Sequence, residues 1–354
     1  MKKYNSIVLL FASLIIISSC KNDKTQKEIS STPDSELKET EALAVTMEGE
    51  KLLYWKDHDT VWAARKKKVD DMRIAYLSKI EDPKSYLNFA KAYSEAGKIE
   101  NAIDILTKGM NKFPDVPDFY LYRGENLLRS RQITESIDDF WKAGQKMEKA
   151  TLATGLTGMP VEDSIAGMTL SYRNYLLMAI AFHCNQDYSS ADKFFEVCGD
   201  FSTNSDLWAR SYYWQYSCYS RSGRTQDAQD ILKNLSENMQ ILPSSKHYLD
   251  ALKYYKGSIS ESNLVDINFK PTNSEEANIW LVKMYAVGVK NLLDNKKDKA
   301  LIAFTKIKES GYWNTLPYIA AEGELLKLGG KKYVSPEKID LDNSAKKKEI
   351  KPQG

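Results

Sequence analysis

Histidine is scarce in this chain: three in 354 residues, His58, His183 and His247, each isolated. No two lie four apart, the spacing by which one helical face holds zinc. His183 adjoins Cys184, but neighbours on a helix point in different directions. The two read as packing beside surface rather than as a metal site or nucleophile pair. There is no glycine-rich phosphate loop and no nucleophile elbow. The residues therefore indicate no metal and no cofactor, and the chain reads as a non-enzyme. Charge of one sign is equally lacking, with 50 Lys+Arg against 48 Asp+Glu. Lys2 and Lys3 supply the whole excess; without residues 1–19 the balance is 48 to 48. A chain with no net field has no electrostatic footprint for nucleic acid.

Long apolar runs are also missing beyond the first twenty residues. Ile7–Ile17 is apolar but shorter than the ~20 residues of a membrane-spanning helix. It follows Lys2 and Lys3 and ends Ile17-Ser18-Ser19-Cys20. A branched aliphatic, two small residues and a cysteine resemble the bacterial lipobox. That resemblance implies a signal peptide over 1–19 and lipidation of Cys20. It places the mature chain in a bacterial envelope, lipid-anchored, with the periplasmic face of the outer membrane preferred. Residues 20–50 are polar and lack apolar periodicity, so they read as a flexible tether. Residues 331–354, with Lys346-Lys347-Lys348, read as a disordered tail. The domain between them spans 51–330.

What is present is a repeat. Tyr86, Ala90, Tyr93, Ala102 and Leu106 are answered 34 residues later by Tyr120, Gly124, Leu127, Ser136 and Phe140. Ala90 and Ala102 stand 12 apart, one in each of two helices, and small side chains there let the backbones approach. The interval recurs as Gly124–Ser136, Ala179–Ala191 and Gly288–Ala300, and more loosely as Tyr216–Ala228. A large apolar residue follows each time: Leu106, Phe140, Phe195, Leu232 and Phe304. Turn signals separate the helices at Gly97, Asn185-Gln186-Asp187, Gly223 and Asn295-Lys296-Lys297.

This pattern resembles the tetratricopeptide repeat. Units fit at about 83–116, 117–150, 172–205, 209–242 and 281–314; the first two match best. The resemblance implies an all-α fold, a right-handed α-solenoid of about five helical hairpins. Capping helices are expected at Thr60–Ile80 and Trp313–Leu328. A lone helix is expected at Lys246–Tyr255, and 144–170 interrupts the array. The organisation is also similar to that of outer-membrane lipoproteins serving as adaptors, although no adaptor-specific motif is found. Excluding Cys20, three cysteines remain, an odd number. Buried thiols at Cys184, Cys198 and Cys218 are the preferred reading, and a Cys198–Cys218 bridge between neighbouring hairpins is the other.

In such an array the first helices line a concave groove. The positions one residue off the packing face are Lys91, Ser94, Leu121, Glu125, Arg173, Leu176, Ile180, His183, Arg210, Tyr213, Ser217 and Ser220. Arg173, His183, Arg210 and Tyr213 would form a basic–aromatic wall, with Leu176 and Ile180 as floor. A groove of that kind suits an extended peptide or an acidic helix. The Lys/Asn/Arg set with which some relatives grip a C-terminal carboxylate is not reproduced, since Leu87 and Lys91 stand in the first helix. The expected function is a membrane-anchored protein-binding scaffold with a protein or peptide partner. The alternatives are a structural subunit of a larger envelope complex, or a glycan binder or enzyme using the 144–170 insertion.

Overall fold

The computed structural model describes residues 43–52, 59–147, 166–236 and 239–331. The signal peptide, Cys20, His58, most of the 144–170 insertion and the tail after Lys331 lie outside the described residues. Within them the chain is all-α apart from one antiparallel strand pair, β1 (Ala44–Val45) and β2 (Lys51–Leu52). A helix α1 (Asp59–Ser78) packs on the first of five helical hairpins. These are α2 (Pro83–Glu95) with α3 (Ile99–Lys112), α4 (Pro117–Arg129) with α5 (Ile133–Met147), and α6 (Leu170–Cys184) with α7 (Tyr188–Asp200). The fourth pairs α8 (Ser205–Ser222) with α9 (Thr225–Lys233). After α10 (Lys246–Lys256) and the short α11 (Glu261–Leu264), α12 (Ser274–Leu293) pairs with α13 (Lys297–Glu309). Helix α14 (Leu316–Leu328) closes the domain.

Local chemistry starts and stops these helices. Asp82 accepts the Lys84 amide ahead of Pro83, Thr169 caps α6 and Asn204 caps α8, each leaving a first-turn amide satisfied. All five hairpins turn on one left-handed residue: Gly97, Arg131, Gln186, Gly223 and Asn295. In each, the next amide bonds back to a carbonyl five residues earlier, as Lys98 N–H does to Tyr93 (2.9 Å) and Gln132 N–H to Leu127 (2.8 Å). That bond closes a Schellman-type C-cap.

The small-residue interval marks the seam of each hairpin. Ala90, Ala102, Ser136, Ala179, Ala191 and Ala300 are buried. A Cβ on Gly124 would lie 2.8 Å from the Phe140 ring, and one on Gly288 would collide with Phe304. Phe140 and Phe304 therefore sit where their hairpin partners have no side chain.

The C-terminal helices do not extend the row of hairpins. Helix α10 packs against α8 and α12, α12 touches α8, and α14 packs on α13, α12 and α6. An ion pair fixes this return: the Arg131 guanidinium donates to both Glu322 oxygens (2.9 and 3.1 Å) and to the Trp313 carbonyl (2.9 Å), with both charged groups buried. Arg221 makes a second link to Glu324 (2.9 Å). The strand pair joins the same place. Met47 N–H donates to Glu322 (3.4 Å), and Lys308 bridges Glu48 (3.1 Å) and Glu50 (2.7 Å). Leu43, Val45, Met47 and Leu52 are buried there. Residues 43–52 thus pack on the domain at this corner.

Candidate partner-binding surface

Successive first helices bring Lys91, Glu125 and Arg173 to one place. Lys91 and Glu125 are 34 residues apart, the same position in adjacent hairpins. The Glu125 carboxylate accepts from Arg129 (2.7 Å) and Arg173 (2.8 Å), and Arg129 also donates to the Ser94 hydroxyl (2.8 Å). Burial alone would raise the Glu125 pKa, but the two guanidinium groups hold it down to about 2. Lys91 lies 4.2 Å over the Tyr122 ring. Burial pushes its ammonium down to about 8 against the pull of Asp118 and Glu125. Lys91, Arg129 and Arg173 are half-buried, and Arg210 lies 5.5 Å over Tyr248, also half-buried. Lys91, Glu125, Arg129 and Arg173 form a polar ladder along α2, α4 and α6.

The rest of the expected groove is not open. Leu176, Ile180, His183, Tyr213 and Ser217 are all buried, the last three against the chain's own C-terminal helices. Tyr213 donates to the Val282 carbonyl (2.8 Å), and His183 Nε2 shares a hydrogen bond with the Tyr285 hydroxyl (2.7 Å). Ser217 donates to the Tyr213 carbonyl (3.2 Å) and lies 3.3 Å from the Tyr255 hydroxyl. Burial, then Arg221 and Lys327, push the His183 pKa down to about 3, so it is a neutral core group. These five positions are corrected from groove wall to core, and Leu121 is buried as well. The signal was in α12, whose run Trp280 to Val289 is apolar on nearly every side except Lys283. A helix of that composition is covered on more than one face. It needed a second surface, and the inner faces of α6 and α8 supply it.

Other features singled out in the sequence resolve simply. Cys184, Cys198 and Cys218 are free and buried. Burial raises all three thiols, Cys218 to about 12, which makes them poor nucleophiles. Neither ring nitrogen of His247 makes a hydrogen bond. Among the described residues no cluster of three or more His, Cys, Asp or Glu is placed to hold a metal ion. Among them also, no helix is long and apolar enough to cross a membrane. Large exposed apolar side chains include Ile74, Leu77 and Ile80 on and just after α1, and Leu293, Leu301 and Ile302 on α12 and α13. No known family model matches this chain, and no curated protein matches it significantly.

Proposed function

We propose that this chain is a lipid-anchored, non-enzymatic scaffold that binds a protein or peptide partner, built as a right-handed solenoid resembling tetratricopeptide arrays. The lipobox-like start and the five hairpins sharing one turn and one seam support that reading. The observation that carries it is the ladder. Lys91, Arg129 and Arg173, set among Glu95, Glu125 and Asp118, place half-buried charged side chains along successive first helices. Such a row suits a partner segment that offers charged and polar groups. The buried central positions move the contact toward the N-terminal hairpins. Anchoring at Cys20 would confine the scaffold to the membrane and raise its effective concentration there.

A photo-crosslinking residue at Lys91 or Arg129, in the native envelope, tests the reading. One discrete partner is expected from these positions, lost in the Cys20→Ala protein. Crosslinks only from control positions on α3 or α5 would sink it.

A second reading is a structural subunit, favoured by the exposed apolar side chains on α1, α12 and α13. It predicts a stable large assembly after detergent extraction that Leu77→Asp and Leu301→Asp disperse.

A further inference from the structure

A recess lies away from the ladder, where the loop 265–271 meets α12 and α13. Its volume is about 420 Å³, inside the range of roughly 300–1,000 Å³ that ligand pockets occupy. Three bonds pin the loop that forms its lip. Trp280 Nε1–H donates to the Asp266 carbonyl (2.9 Å), the Tyr312 hydroxyl to the Pro271 carbonyl (3.2 Å), and Lys306 to the Asn268 side-chain oxygen (3.2 Å). The recess is therefore built rather than incidental. Trp280 and Tyr312 are buried and their polar tips are engaged, so they form the wall. Phe269 is 42% exposed and leaves its ring on the rim.

The charges around it are unequal. Lys306 contacts a neutral amide oxygen, which leaves its charge uncancelled, and Lys270 adds a second cation beside the single carboxylate of Glu309. A lysine ammonium is a compact point charge, suited to a carboxylate arriving from several directions. A lining that is part apolar, at Phe269 and Pro271, and part cationic, at Lys306 and Lys270, thus asks for a ligand with an apolar body and negative charge beside it.

We propose that this recess binds a short acidic peptide segment. An apolar or aromatic side chain lies against Phe269 and Pro271, and a flanking carboxylate meets Lys306 and Lys270. The site is separate from the Lys91–Arg173 ladder and does not rest on it.

The test is fluorescence anisotropy on the full-length protein in detergent. The probe is a labelled peptide with a central Phe flanked by Asp and Glu; a Lys-flanked version is the control, and an unlabelled cell-wall disaccharide is the competitor. The acidic peptide is expected to bind and the basic one not. Lys306→Met and Phe269→Ala should each weaken binding about tenfold or more, the size of a lost charged contact. Phe269 is on the rim, so its variant keeps the fold, which circular dichroism checks. A variant outside both surfaces, Lys233→Met on α9, should leave this binding unchanged. No acidic-peptide binding up to about 1 mM would overturn the proposal. So would equal binding by both variants, or displacement by the disaccharide.

Discussion

Arg131 holds a left-handed backbone and a buried charge at once, with φ of 66° and no exposed surface. A side chain in that conformation costs on the order of 1–2 kcal/mol, which glycine would avoid. Arg131→Gly relieves that strain yet strands Glu322 without its partner, a loss of about 3–5 kcal/mol. We expect a net fall in urea-unfolding free energy, and a gain would show that the turn outweighs the pair. His247 gives the opposite case. Burial first, then Arg210 and Lys283, push it down to about 3, and its nitrogens make no hydrogen bonds. His183 is likewise at about 3. In the unfolded chain both take up protons below about pH 6.5, while in the fold they stay neutral until about 3. Stability from these two groups is therefore fully present above about 6.5 and is lost as pH falls toward 3, by up to ~1.4 kcal/mol per pH unit for each. His247→Phe should flatten half of that slope and leave stability at pH 7 equal or higher; an unchanged slope by chemical denaturation would refute the assignment.

The hairpin seams are the elements the sequence displays best. The 12-residue interval needs a gap opposite a ring, and that need shows as Ala, Gly or Ser in one dimension. Gly124→Ala and Gly288→Ala should each cost about 1–3 kcal/mol by overpacking. Gly199 in α7 has open space around it, so Gly199→Ala should instead gain about 0.4–1 kcal/mol. Thermal melts of the three variants side by side would separate seam glycines from an ordinary one. Turns were legible where glycine or asparagine marked them, at Gly97, Gly223 and Asn295. The turn at Arg131 carries no such mark, because its stabilising partners, Glu322 and Trp313, lie far along the chain. The site divides in the same way. Lys91 and Glu125 follow from the period, whereas the burial of His183 and Tyr213 depends on α12, 102 and 69 residues further along the chain.

At the scale of the whole molecule, the first helices of the third and fourth hairpins are buried by the chain's own C-terminal end. Removing residues 316–354 should expose the inner face of α6 and raise amide exchange in α6 and α8, while α2 to α4 exchange as before. Uniform exchange across all five hairpins would instead mean that the domain opens as one unit. The clasp formed by β1–β2, α13 and α14 has a geometric consequence. Glu48 meets Lys331 at 3.2 Å, so the chain enters and leaves the domain side by side. The same adjacency suits a circular permutant, with ends joined by a short linker and new ones cut between α7 and α8.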